Sequence, residues 1–386
     1  MRRAAPALVA LALALGAGVP QALNDLRSDD WTLLAWGRAS EGLGFVTDPP
    51  PFPYLRPLNA LAWQLLAGAG VAPWPSELAV FALWGLALVL LYAIAARSAG
   101  IWGGAVAVGL AVCTREVREI VNWRSWLTTA GGLAGVLGAL WLAGRGRGAG
   151  AIVALALGAG FKEVAWWHGG WALAASRRFV LAGVALAAFV VHVRLLAPPL
   201  PEDAVGIGFV ARNAAALGRT LVGWAWPVGL LLVALGAPRE AWKGPSVPLL
   251  GASAMACVPA LGFYLYNPFY FVEAAILGLL AILPVAAEAW RRRPRWAIAV
   301  AIALGIALLR PGQWEDFRDN VPWQQRRMRE GRALHEVGRG AAQVWAPAGD
   351  PGPCGLAADL LVFEGAERVD VAPADGRKLR ECLVVR

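Results

Sequence analysis

Four groups of residues in this sequence are of a type and spacing that could do chemistry. The first is Asp29-Asp30, within Asn24-Asp25-Leu26-Arg27-Ser28-Asp29-Asp30-Trp31. Adjacent carboxylates repel, so one pKa rises and that group is poised to take a proton from a hydroxyl. The same pair could hold a divalent cation through oxygen ligands. A solvated loop with Ser28 or Asp29 capping a helix that starts at Trp31 is the plainer reading. The second is Arg56, in Tyr54-Leu55-Arg56-Pro57-Leu58, where a cation meets the start of an apolar helix. It suits an anion site at a membrane surface and equally an interfacial anchor. The third is Glu119-Ile120-Val121-Asn122-Trp123, followed by Arg124. Glu119 and Trp123 share a helix face, a carboxylate for hydroxyls beside an indole for stacking on a sugar ring. A salt-bridged interfacial helix with a belt tryptophan would look the same. The fourth is Lys162-Glu163, flanked on both sides by apolar sequence. A charge at membrane depth costs about 2.5–3.5 kcal/mol or more. A lysine there could hold a lipid-linked phosphate as a point charge, or the two residues could neutralise each other.

The elements that must position these groups follow from composition. Of 386 residues, 58% are hydrophobic and only 16% charged, with 20 tryptophans. Soluble domains carry about 25% charged residues. This excludes a disordered chain, a disulfide miniprotein and an ordinary soluble enzyme, leaving an all-α polytopic membrane protein. The net charge of +9 is not a nucleic-acid signature. Residues 1–310 carry a balance of +10 and residues 311–386 one of −1. The excess sits in short clusters between apolar runs: Arg2-Arg3, Arg97, Arg145 with Arg147, Arg177-Arg178, Arg239 with Lys243, and Arg291-Arg292-Arg293 with Arg295. Positive clusters on one side of alternating spans define the cytoplasmic face.

That rule predicts about eleven spans, near 4–22, 77–96, 99–113, 125–143, 149–161, 164–175, 179–197, 220–236, 246–263, 270–290 and 296–310. The N-terminus is then cytoplasmic, and 23–76, 114–124, 198–219 and 311–386 face outward. The first run reads as an uncleaved span, because Pro20 and Gln21 spoil a small-residue cleavage site. Runs 149–161 and 164–175 are half-length. One continuous helix through them would bury Lys162-Glu163 at mid-bilayer and invert every later basic cluster. The parity therefore predicts two short helices with Lys162-Glu163 at their tip, surrounded by protein or a water-filled cavity.

Residues 1–310 thus form a transmembrane unit with a first external loop at 23–76. Residues 311–386 read as a small α+β extracytoplasmic domain, with a helix within 314–340 and strands at 360–363, 369–371 and 383–385. Cys354 and Cys382 both lie there, and an oxidising compartment would pair them. Cys113 and Cys257 read as packing residues. The three histidines are scattered, so a His-rich metal site is not expected.

In order along the chain, the four motifs resemble those of the GT-C superfamily, multispan glycosyltransferases that use polyprenyl-phosphate-linked sugars. The likeness is greatest to the branch of protein O-mannosyltransferases and transmembrane-and-TPR O-mannosyltransferases. It covers residues 1–200 well and 200–310 loosely. The resemblance implies that Asp29, with Asp30 as partner or alternate, is the catalytic base. It implies that Glu119 binds or orients acceptor or sugar and that Lys162 contacts the donor phosphate. Tyr54, Arg56, Trp123, Arg124 and Glu163 fall at the matching motifs and are expected to bind substrate. The partners implied are a polyprenyl-phosphate sugar, an extracytoplasmic acceptor hydroxyl and the lipid bilayer; no nucleic acid is expected. No organic cofactor is implied, and a divalent cation would rest on Asp29-Asp30 alone. The chain departs from the branch in three places: Leu55 separates Tyr54 from Arg56, the segment from Tyr264 to Tyr270 lacks an arginine, and the TPR tail is absent. Arg194 or Arg212 could supply a second phosphate-binding cation. An Ala/Gly/Arg/Trp-heavy composition reads as high-GC coding, hence a bacterial inner membrane. A transporter would require inverted repeats, of which no second copy is evident. A non-catalytic scaffold would leave Asp29-Asp30 and Lys162-Glu163 without a role.

Overall fold

Apolar runs become helices here because nothing else satisfies backbone polar groups away from water. The computed structural model describes residues 5–10, 12, 28–40, 42–47, 56–69, 74–114, 116–117, 120, 127–196, 206–261, 268–308, 321–347, 353–371 and 383–385. Its helices are α1 (Ser28–Ala39), α2 (Pro57–Gly68), α3 (Trp74–Cys113), α4 (Leu127–Ala143), α5 (Gly148–Phe161), α6 (Val164–Ala175) and α7 (Phe179–Val191). After them come α8 (Ile207–Trp224), α9 (Trp226–Leu235), α10 (Ser246–Leu261), α11 (Val272–Arg292) and α12 (Pro294–Leu308). Most of the run expected at 4–22 lies outside the described residues.

Among the described residues, Pro75–Cys113 and Val272–Arg292 are long and apolar enough to cross a membrane. The pair Gly208–Trp224 and Trp226–Leu235 would make a third span, bent by 79°. The remaining apolar helices are shorter than a full span. Helix α3 is itself divided at Gly100, whose φ of 82° leaves the helical region. A Cβ at Gly104 would sit 2.9 Å from the carbonyl oxygen of Tyr92, so the chain doubles back there. The turn between α8 and α9 is a conformational outlier, with Ala225 at φ 60° and ψ −43°.

Helix α4 is the buried centre, enclosed along nearly its whole length. It packs on α3, α5 and α6. Its approach to α5 is set by glycine: a Cβ on Gly135 would lie 2.5 Å from the Cα of Gly158. Small residues that let backbones touch are the usual means of helix association in lipid. Helix α11 is buried on most sides and packs on α3, α9, α10 and α12.

Three basic turns gather at one end. The Arg97 guanidinium donates to the Gly144 carbonyl at 2.9 Å. Arg145 lies over the Trp141 ring at 3.9 Å, and Gly148 abuts Leu181 just after the Arg177-Arg178 turn. The α5–α6 tip, with Lys162-Glu163, is at the other end of these helices.

Residues 321–385 form α13 (Val321–Gly338), β1 (Gln343–Pro347), α14 (Pro353–Phe363), β2 (Glu367–Val371) and β3 (Leu383–Val385). The sheet order is β2-β1-β3, with β1–β2 parallel and β1–β3 antiparallel. Residues 360–363, expected as a strand, instead end α14, and the strand β1 was not foreseen. Short apolar runs fit either state, and here the run continues a helix begun at Pro353, a residue favoured at a first helical position. Cys354 is disulfide-bonded, and its expected partner Cys382 lies outside the described residues. Cys113 and Cys257 carry free thiols. Helix α14 also rests on α1: Leu356 and Leu360 pack into a cluster with Leu33, Leu34, Trp36, Trp63, Leu66 and Ala67.

Gly135→Ala places a methyl on backbone with no flexible neighbour to yield. It is expected to destabilise the α4–α5 pair by about 1–3 kcal/mol, measured as thermal unfolding of the purified protein in detergent.

Candidate functional site

The site is built where α5 breaks into α6. Phe161 is the last residue of α5, and Lys162 follows in extended geometry, φ −151° and ψ 111°. Glu163 then caps α6. The change of backbone direction sends the two side chains apart. Lys162 Nζ donates to Glu273 Oε1 at 2.6 Å and to Thr129 Oγ1 at 3.3 Å, deep between α4 and α11. Gly132 makes the room, since a Cβ there would lie 3.1 Å from the Lys162 Cβ. Glu163 turns toward Arg56 and accepts two hydrogen bonds, from Nε at 2.7 Å and from a terminal nitrogen at 3.1 Å.

Arg56 is placed by the proline after it. A residue before proline is pushed into extended geometry, and proline is preorganised for a first helical position. Arg56 accordingly caps α2 at φ −126°, with Pro57 as the first helical residue. Leu58 in the same turn fits against Gly160 of α5, where a Cβ would meet it at 2.7 Å. That contact and the Arg56–Glu163 fork join α2 to the break.

Arg56, Lys162, Glu163, Val164, His168, Ala256, Pro259, Ala260 and Tyr270 line a cleft of about 70 Å³. The Arg56 side chain remains 19% exposed, whereas those of Lys162 and Glu163 are each 7% exposed. Two cations and two carboxylates leave the cluster formally neutral. The most exposed member of the set is Arg56. His168, one helical turn beyond Val164 in α6, donates from Nε2 to the Ala256 carbonyl at 3.1 Å.

The structure brings Arg56, Lys162 and Glu163 together, and so joins two of the four sequence motifs in one cleft. Lys162 was expected to face a donor phosphate; the structure pairs it with Glu273 and sets it below Arg56. Asp29 and Asp30 lie in the first turn of α1, which begins at Ser28 rather than Trp31. Carboxylates in a first turn complement the helix dipole. Asp30 is fully buried and has an interaction partner. Helix α1 packs on α2, where a Cβ on Gly37 would come within 2.6 Å of the Trp63 carbonyl oxygen, so the acidic turn is tied to the Arg56 helix. Tyr54, Glu119, Trp123 and Arg124 lie outside the described residues. Of the second loop, Thr114 and Glu116 are fixed by α8 and α9: Trp226 Nε1 donates to Thr114 Oγ1 at 2.8 Å and Trp224 Nε1 to Glu116 Oε2 at 2.5 Å. The two indoles stack with planes 9° apart. Arg194 and Arg212 do not line the cleft. No cluster of three or more His, Cys, Asp or Glu that could hold a metal occurs among the described residues.

Sequence reasoning missed Glu273 and His168. Glu273 stood inside the run read as 270–290, and a carboxylate within an apolar run was the available signal.

No family model and no curated protein matches the chain. Among solved structures its fold resembles that of ArnT from Cupriavidus metallidurans, crystallised with undecaprenyl phosphate. The TM-score is 0.50 and the identity 15%, over 94% of this chain and 76% of that one. This is a likeness of fold alone.

Removing one member of a buried ion pair strands the other charge, at a cost of about 3–5 kcal/mol, whereas replacing both is far milder. Lys162→Met and Glu273→Gln are each expected to lower thermal stability sharply. The double variant should recover most of the loss, and a double-mutant cycle on detergent-solubilised protein checks this.

Proposed function

We propose that this chain is a GT-C glycosyltransferase that moves a sugar from a polyprenyl-phosphate donor to an extracytoplasmic acceptor hydroxyl. The observation that carries the reading is the Arg56 guanidinium: partly exposed on a cleft beside Lys162, and presently engaged fork-to-fork by a carboxylate. Arginine binds carboxylate and phosphate through the same bidentate geometry. A donor phosphodiester carries one negative charge and can take the fork from Glu163, the cluster staying neutral when the released carboxylate takes up a proton. The likeness of fold to ArnT, itself crystallised with undecaprenyl phosphate, supports a lipid-phosphate ligand.

In the reaction, the bond from the anomeric carbon to the phosphate oxygen breaks and the bond to the acceptor oxygen forms on the opposite face. The hydroxyl proton passes to Asp29 or Asp30, and the lipid phosphate leaves with its charge stabilised by Arg56 and, at longer range, Lys162. A phosphate leaving group needs no general acid. Within the superfamily we assign the chain to the O-mannosyltransferase-like branch on its motif order. Glu119, Trp123 and Arg124 then attend the acceptor or sugar, Tyr54 the loop that delivers Arg56, and the bilayer supplies the donor from the side. We also propose that residues 311–386 form a separate outward-facing domain closed by a Cys354–Cys382 disulfide, in a bacterial inner membrane.

Three variants in nanodiscs test this. Arg56→Gln removes a charge-assisted contact and should weaken undecaprenyl phosphate binding by at least about tenfold. Glu163→Gln removes the competing carboxylate and should tighten it. Asp29→Asn or Asp30→Asn should abolish transfer from labelled polyprenyl-phosphate sugars while leaving lipid binding intact. Unchanged binding in Arg56→Gln, or full transfer in both aspartate variants, would overturn the proposal.

A further inference from the structure

The floor of the cleft has an unused chemical demand. His168 is 2% exposed, and its Nε2 must carry the proton because a carbonyl only accepts. In the neutral ring Nδ1 is then an acceptor. It has no hydrogen-bond partner among the described residues. Glu273 is 1% exposed, and its Oε2 is likewise without one, while Oε1 is taken by Lys162. His168 lines the cleft, whereas Glu273 lies behind it, held by Lys162, which also lines it. Leaving a buried polar atom unpaired costs about 1–3 kcal/mol, so Nδ1 of the lining residue asks for a donor.

The chemistry of that donor is narrow. A phosphate oxygen is itself an acceptor and is repelled by a nitrogen lone pair and a carboxylate. An apolar group would leave Nδ1 unpaired. A further cation would meet the charge of Lys162. A neutral hydroxyl satisfies the acceptor without disturbing the balance of the two ion pairs. We propose that His168 reads a hydroxyl of the donor's sugar through Nδ1; this rests on the lipid-phosphate reading of Arg56. The phosphate is held at the mouth by arginine, and the sugar presents a hydroxyl inward to the His168 acceptor. His168 is thus a specificity-determining residue, selecting a hydroxylated group next to the phosphate.

The experiment compares two kinds of lipid on the full-length protein in nanodiscs: undecaprenyl phosphate without sugar, and undecaprenyl-phosphate glucose and mannose. His168→Phe keeps an aromatic ring but removes the acceptor. It should weaken binding of at least one hexosyl lipid about five- to tenfold, the loss of one hydrogen bond, and leave the sugar-free lipid within about twofold. His168→Gln, which offers an acceptor oxygen, should restore part of the loss. Equal weakening of sugar-free and hexosyl lipids, or no weakening of either hexosyl lipid, overturns the proposal. If His168→Phe does not fold, wild-type protein with a series of monodeoxy hexosyl lipids decides. One deoxy position losing about five- to tenfold supports a hydroxyl-reading wall, and uniform affinity across the series overturns it. Failure of wild type to bind sugar-free lipid overturns the phosphate reading itself, a result separate from loss of hexose selectivity alone.

Discussion

The Lys162–Glu273 pair is the constraint on which the rest of the site depends. Two charges lie in an apolar surround, where each is costly unless paired and hydrogen-bonded. Their pairing needs Lys162 in extended backbone, so α5 must end at Phe161. It also needs α11 to begin beside α4, because Glu273 is in its first turn. Once Lys162 points inward, its neighbour Glu163 points away and meets Arg56, the residue placed by Pro57. A single ion pair therefore fixes a helix break, the seating of a central helix and the docking of α2.

Much of this was legible in the sequence, and the reason is electrostatic. The periodic alternation of apolar runs with arginine clusters gave the helices, and the parity of those clusters demanded a break at Lys162-Glu163 that the structure shows. The partners of those charges were not legible. Glu273 lies 111 residues from Lys162 and Glu163 107 from Arg56, separations that no helical spacing encodes. The Ala225 bend escaped as well. Nothing in Trp-Ala-Trp announces a positive φ; the cause is tertiary, since both indoles must meet Thr114 and Glu116 at once. In the tail, Leu360-Leu361-Val362-Phe363 satisfied a strand pattern, and the helix won because one face of it had Leu33 and Leu34 to cover.

Neutrality is the other property that organises the cleft. Each cation of the cleft has one carboxylate, so the set of Arg56, Lys162, Glu163 and Glu273 is neutral. The arrangement also ranks the cations. Lys162, enclosed by Thr129 and Glu273, sets the local potential without being available for exchange. Arg56 holds its carboxylate where its own side chain stays partly exposed. An anion that takes Arg56 by a swap of partners leaves the cluster neutral when a proton goes to the released Glu163 carboxylate.

The seam between α14 and α1 bears on how the protein is made. Leu33 and Leu34 are synthesised near the beginning of the chain, and the leucines that cover them, Leu356 and Leu360, near its end. Ribosomes add about 5–20 residues per second, so the acidic helix spends tens of seconds with its apolar flank unsheltered. Through that interval the helix carrying Asp29 and Asp30 lacks its final support. A product truncated before α14 would keep α2 to α12 yet leave the Leu33–Leu34 flank of α1 without its cover.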